Sequence, residues 1–379
     1  MSQAKKIKIV HIAQSAGGVE RYLKMFFKHF DNNMYDNYLI LSREYKESKT
    51  YFEEFGVKVH IVDMVREISI KDDVIALIKI LKLLMKIRPK IVYTHSSKAG
   101  ALGRVPAKFV GAVNVYNPHG WAFDMNISLL KKNIYLWIEK ILGLFTDKVI
   151  AISEHEKEIA INSKIVNKEK ITVIENAIDI NPVITDNFDN FLIERRWPED
   201  SFVIGMVARI AEQKSPKTFI EVANIIAKKI PHARFLMVGD GEQLLDIESM
   251  IEKYDLKDKV FITGWVQEPL NYISQFDVAL LTSKWEGFGL VIPEYMLSRV
   301  PVIASNVGGI KNIIRNGETG ILVDNLDVGE FVNKIMEIYK NEQFRSIIVE
   351  QAFQMTVRRF DFYRNIREHL ITFDELLKQ

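Results

Sequence analysis

Residues 201–241, SFVIGMVARIAEQKSPKTFIEVANIIAKKIPHARFLMVGDG, hold the fold in miniature. SFVIGMVAR (201–209) reads as a strand, PKTFIEVANIIAKKI (216–230) as a helix, and ARFLMVGDG (233–241) as a second strand ending in glycines. The pattern continues through KVFITGW (259–265), FDVALLTS (276–283), VPVIAS (300–305) and GILV (320–323), with helices between. Upstream, KIKIVHI (6–12), NYLILS (37–42), VKVHIV (57–62), KIVYTH (90–95), VNVYNPHG (113–120), DKVIAIS (147–153) and KITVIENAI (170–178) repeat it. Ser153 and Glu156 fit a capping box on the helix that follows. Apolar strands alternating with helices imply parallel sheets covered on both faces. The polar, turn-rich INPVITDNFDN separates the two runs. An α/β fold is predicted, with two Rossmann-like domains, residues 1–185 and 200–360, whose parallel sheets face a central cleft.

The chain has 379 residues, 48% hydrophobic and 26% charged, as expected of globular domains. It has no cysteine, which excludes disulfides and thiolate metal sites. The run IKIVHIA is short for a secretory signal and is followed by glycines, and no stretch approaches the roughly 20 apolar residues of a bilayer span. A cytosolic location is expected. Residues 1–180 hold 28 Lys and Arg against 20 Asp and Glu (+8), and residues 181–379 hold 23 against 29 (−6). That split is either chance or the mark of an anionic partner of the first half, such as acidic lipid or a phosphate-bearing acceptor. The predicted helix 74–87 interleaves Lys79, Lys82, Lys86 and Arg88 with Ile and Leu. It is either a domain helix with snorkelling lysines or a helix lying on a membrane surface.

Ligands of open parallel sheets bind beyond the carboxyl ends of the strands. Four places there carry chemistry. Gly17-Gly18 opens a helix after the first strand, where a backbone can approach a phosphate, although GxGxxG is absent. Arg209 and Lys214 follow the 201–209 strand and could hold two phosphates, or be a solvated pair. WEGFGLVIPE (285–294) brackets a glycine turn with Glu286 and Glu294. Amides near Gly289, Leu290 and Val291 would face a phosphate, Glu294 a ribose diol and Glu286 hydroxyls of a sugar, or Glu294 is simply a glutamate favoured by the helix dipole. His119 in NPHGW is either structural or functional.

These residues, in this order, resemble the retaining glycosyltransferases of family four, which have the two-domain architecture called GT-B. The most specific element is E-x7-E, Glu286 to Glu294. Around it stand VGDG (238–241), FITGWV (261–266), PVIASNVGG (301–309), GGVER and the HG of 119–120. The resemblance implies that Arg209 and Lys214 bind the donor diphosphate, Glu294 the ribose and Glu286 the transferred sugar. It implies that Gly18 approaches the phosphates, His119 the sugar, and that the base lies near Gly239 and Val266. A final helix, within 361–379, would pack back on the first domain. No D-x-D metal signature is present, so Arg209 and Lys214, not a divalent ion, are expected to neutralise the leaving group. Ser215 stands where glycine is common, and Lys311-Asn312 where Pro-Glu is usual.

YTHSSKAGALGRVPAKF (93–109) resembles a segment of bacterial enzymes that build capsule or O-antigen on undecaprenyl diphosphate. Lys98 and Arg104 would then hold the lipid diphosphate, unless they merely decorate a helix N-terminus. The expected reaction moves a hexose or N-acetylhexosamine from a UDP-sugar to a lipid-linked saccharide at the inner membrane face, with no cofactor and no nucleic acid. The alternatives are a non-catalytic two-domain binding protein and a GT-B enzyme with a soluble acceptor.

Overall fold

The computed structural model describes residues 6–14, 18–30, 33–65, 67–125, 127–181 and 197–378. The chain divides into two compact units. One takes in residues up to Asn176 and the segment from Phe362 onward; the other is Ala177–Asp361.

The first unit has strands β1 (Ile7–Ala13), β2 (Tyr35–Leu41), β3 (Lys58–Ile61), β4 (Ile91–His95), β5 (Val113–Asn117), β6 (Lys148–Ala151) and β7 (Ile171–Val173). They form one sheet in the order β3-β2-β1-β4-β5-β6-β7, every pair parallel. Both faces are covered, so β4 is buried at every position. On one side, helices Ile70–Ile87 and Ser97–Phe109 pack an apolar cluster that includes Val10, Ile12, Ile80, Leu84, Val92 and Leu102. Glycines set how close the second of these helices lies. A Cβ on Gly100 would sit 2.5 Å from the Tyr116 ring, and one on Gly103 2.6 Å from Thr94. On the other side lie helix Gly18–His29 and the final helix, Phe362–Leu377. The final helix buries Phe362, Ile366, His369 and Phe373 at helical spacing, and its Asp374 accepts from Tyr35 Oη at 3.2 Å.

The second unit has strands β8 (Phe202–Val207), β9 (Ala233–Val238), β10 (Val260–Ile262), β11 (Val278–Leu281), β12 (Val302–Ser305) and β13 (Ile321–Val323), ordered β10-β9-β8-β11-β12-β13 and all parallel. In each sheet the strand order reverses once, at β1/β4 and at β8/β11. Connections leave these neighbours in opposite directions, which opens a crevice at their carboxyl ends.

Candidate donor site at the strand ends

In the second unit both loops that leave the reversal point carry candidate residues. After β8 comes Arg209, exposed, its Nε donating to Glu242 at 3.1 Å. The 3-10 turn Glu212–Lys214 follows, and Ser215 then adopts left-handed backbone (φ 45°) before helix Pro216–Lys229 begins. That backbone explains why glycine suits position 215. After β11 the chain runs through Thr282 and Ser283 to Glu286. The Lys214 ammonium pairs with the Glu286 carboxylate, and Ser283 Oγ donates to the same oxygen at 3.0 Å. The backbones are joined as well. Thr282 Oγ1 donates to Lys214 O at 2.9 Å, Lys284 N to Gln213 O at 2.7 Å, and Gln213 Nε2 to Trp285 O at 3.0 Å.

Gly289 has φ 91° and precedes helix Val291–Leu297, capped by Leu290. Glu294 lies in that helix, buried like Glu286. Next to it, Tyr295 Oη accepts from Val207 N at 2.7 Å and ties the helix to the end of β8. Four glycines keep backbones in contact around this edge. A Cβ on Gly308 or Gly309 would lie 1.9 or 2.1 Å from the carbonyl oxygen of Glu286 or Gly287. Cβ atoms on Gly239 and Gly241 would lie 2.0 and 2.3 Å from those of Ala208 and Ile210. Gly239 also bridges Gly264, two residues before the half-buried Val266.

In the first unit, Gly18 opens its helix, and a Cβ there would meet nothing within 4 Å among the described residues, while Gly17 lies outside them. His119 follows β5 in left-handed backbone (φ 48°), its N–H donating to Asn117 Oδ1 at 2.9 Å. Its Nε2 is 3.0 Å from His95 Nδ1, and its ring meets the Tyr22 ring edge-on at 4.9 Å. Burial holds the His119 imidazole down at about 3, with His369 adding to the effect, so it is neutral at physiological pH. The turn is held from its other side by helix Glu154–Asn162. Ser153 caps that helix by accepting from Glu156 N at 3.2 Å. The Glu156 carboxylate accepts from Ile152 N at 3.0 Å and from the Gly120 backbone. Glu156 O takes the Trp121 indole N–H at 3.0 Å. Burial pushes the Glu156 carboxyl up to about 8.

Residues 16–182 match the family described as Glycosyltransferase Family 4, and residues 187–355 match Glycosyl transferases group 1. The chain is 31% identical over 372 residues, 95% of both chains, to an Escherichia coli protein named UDP-Gal:alpha-D-GlcNAc-diphosphoundecaprenol alpha-1,3-galactosyltransferase. The chain is a family-four glycosyltransferase. It is also 30% identical, over 82% of both chains, to the capsular polysaccharide biosynthesis glycosyltransferase CapM of Staphylococcus aureus. The transferase shares its fold with Anabaena HepE, solved in complex with UDP and glucose (TM-score 0.85, 21% identity, 97% of this chain and 100% of that one).

One expected acceptor cation of the transferase, Arg104, needs correction. Arg104 is fully buried: its guanidinium pairs with Glu139 at 2.7 Å, donates to Gly100 O at 2.9 Å and lies 4.0 Å over the Tyr116 ring. It braces helix Ser97–Phe109 against helix Leu129–Gly143 and is not available to a ligand. Lys98 is also engaged, with Asp73 at 2.6 Å and Glu67 O at 2.8 Å. Both lie on a helix whose faces the sequence pattern does not distinguish. Ser283, Gln213 and Tyr295 escaped the sequence reading; the partners of Gln213 and Tyr295 lie about 70 to 90 residues away. Ser283 alone had a local signal, three residues before Glu286 at a strand end.

Proposed function

We propose that this transferase retains anomeric configuration while moving a hexose or N-acetylhexosamine from a UDP-sugar to an undecaprenyl-diphosphate-linked saccharide, in bacterial surface-polysaccharide assembly. The observation that carries this reading is the match, end to end, with a relative whose name specifies UDP-Gal and a GlcNAc-diphosphoundecaprenol.

The strand-end geometry supports the donor half. Lys214 and Arg209 would meet the diphosphate, Glu286 hydroxyls of the transferred sugar, and Glu294 the ribose. Gly239 and Val266 would flank the base. The Arg209–Glu242 pair is exposed at both ends, so little free energy holds the guanidinium there and it is free to turn to a phosphate. As the bond from the anomeric carbon to UDP breaks, negative charge gathers on the diphosphate. Fixed cations then stabilise the transition state more than the ground state. The acceptor oxygen attacks on the same face, and its proton passes to the departing phosphate. His119 would contact the sugar. Because the cations are the chain's own, activity should persist in EDTA; loss restored by magnesium would overturn the metal-free reading.

Contact with a membrane surface is supported by two helices of the first unit. Helix Leu129–Gly143 exposes Leu129, Leu130, Ile134, Trp137 and Ile141 beside Lys131. Helix Ile70–Ile87 exposes Val74, Ile75, Ile78 and Met85 among lysines. Among the described residues no helix is long and apolar enough to cross a bilayer.

UDP release from a panel of UDP-sugars, with and without membrane extract carrying undecaprenyl-linked sugars, tests the whole reading. Release that needs one donor and the extract is expected. Release without extract would move the acceptor to a soluble molecule, and silence with every UDP-sugar would overturn the nucleotide.

A further inference from the structure

The two faces of the first sheet are built differently. One is apolar; the other carries a buried polar chain. Register places His11 opposite Tyr93, and His95 opposite Ala13 and Asn117, so His11, Tyr93, His95 and Asn117 project to one face. His11 Nδ1 is 3.1 Å from His95 Nε2, and His95 Nδ1 is 3.0 Å from His119 Nε2. A row of three imidazoles thus runs from mid-strand to the carboxyl edge.

The row has a closed end and an open end. His11 lies against Phe26, Phe27 and Tyr93, with ring centroids 4.8 to 5.4 Å away, and its Nε2 is buried with no partner. At the other end no hydrogen bond from the described residues engages His119 Nδ1, and that atom is not among the buried unpartnered ones. A chain closed at one end cannot carry a proton through the protein. What it can do is fix which nitrogen of each ring bears hydrogen, since each neutral imidazole has one donor and one acceptor.

Two polarities are available. If His119 donates inward, the row ends in an orphan N–H on His11. If His11 donates outward, it ends in a bare ring nitrogen. Buried orphan donors are rarer in folded proteins than under-satisfied acceptors, which favours the outward polarity. The surroundings are already fixed. His369 Nδ1 donates to Asn365 O at 2.8 Å, so its Nε2 is the acceptor nitrogen, with the Tyr22 and Tyr93 hydroxyls 3.0 and 3.1 Å away. Asn117 Nδ2 donates to Tyr93 Oη, and its Oδ1 accepts from the His119 N–H.

We propose that His95 and His11 are positioning residues that hold His119 in one neutral tautomer, Nε2 accepting and Nδ1–H presented to a hydroxyl of the transferred sugar. The proposal rests on the reading of His119 as a sugar contact. A ring locked this way selects an acceptor at Nδ1 and does not switch to a cation when pH falls. Among the described residues the groups facing the row are His369, Tyr22 and Tyr93, with no carboxylate or ammonium hydrogen-bonded to it.

Nitrogen-15 NMR of the full chain labelled at histidine tests this, with the His119→Gln spectrum assigning the resonance. His119 should show a single neutral tautomer protonated at Nδ1 between pH 5.5 and 8. His11→Phe touches neither ligand nor His119. It should give mixed His119 tautomers and a drop in kcat/KM of roughly fivefold, the size of one neutral hydrogen bond. His11→Asn puts an amide nitrogen where Nδ1 was and should restore both. If His11→Phe unfolds, the wild-type and His11→Asn spectra still decide. An Nε2-protonated or charged His119 in the wild type overturns the proposal, as does a His11→Phe chain with unchanged tautomer and unchanged kcat/KM. If the donor reading is wrong, no UDP-sugar will be turned over, whereas the wild-type tautomer will stand.

Discussion

Lys214 and Glu286 neutralise each other at the end of β11, with Ser283 donating to the same carboxylate. The pair is largely shielded, so the two charges interact more strongly than a surface pair would. Lys214→Ala is therefore expected to lower UDP-sugar turnover by about 10²–10³, the scale of losing one charge-stabilising group. Melting followed by circular dichroism should remain cooperative; near-normal turnover would remove Lys214 from the diphosphate site. Arg104 has the opposite character. Its charge is fully buried and spent on Glu139, so Arg104→Met alone should cost about 3–5 kcal/mol by leaving a carboxylate unpaired. Arg104→Met combined with Glu139→Leu should recover most of that loss in urea unfolding. The double variant should keep the wild-type KM for lipid acceptor, and a raised KM would return Arg104 to the acceptor site.

At the scale of the element, helix Leu129–Gly143 is the informative one. Its fully buried residues are Glu139, Leu142 and Gly143, with Tyr135 and Leu136 partly buried against the core, while Trp137 is 67% and Leu130 72% exposed. A soluble helix seldom leaves so wide an apolar face in water. With lysines beside it, such a face suits an anionic bilayer. Leu130→Glu with Trp137→Glu should cut co-sedimentation with anionic vesicles about tenfold while leaving UDP binding unchanged. Equal sedimentation of both proteins would move the membrane contact to helix Ile70–Ile87, the one whose lysines drew attention in the sequence. The difference between these helices was hidden because periodicity reports an amphipathic pattern but not what covers its apolar side.

For the whole molecule, buried titratable groups set the response to pH. His11 and His119 are held down at about 3 and His369 at about 4, with burial the largest cause in each, and His95 is held well below its ordinary range. Unfolded, these imidazoles bind protons below about 6.5 while the folded ones do not, so stability falls as pH drops from there. Glu156 acts in the other direction. Its folded carboxyl keeps a proton up to about 8 and its unfolded one loses it near 4.5, so it lowers stability as pH rises between those values. Four imidazoles outweigh one carboxyl in the acid range. The Tm should peak at about pH 7, fall steeply toward pH 5 and gently toward pH 8. Glu156→Gln should flatten the alkaline arm; an unchanged arm would show that Glu156 does not titrate there.

The strand–helix alternation was legible because burial on both faces demands continuous apolar strands, a local property of the chain. That Arg209, Lys214, Glu286 and His119 lie beyond strand ends was legible for a related reason: strand ends can be read along the sequence. Sequence by itself determined the two parallel α/β units, the glycines at the strand edges, and the carboxylates and cations gathered after β8 and β11. Tertiary structure alone decided that Arg104 is interior, that Lys214 meets Glu286, and that His11, His95 and His119 form one row. Those outcomes depend on which strands become neighbours and on which side of a helix faces the sheet. A pairing between residues 84 positions apart leaves no trace in either one's local pattern.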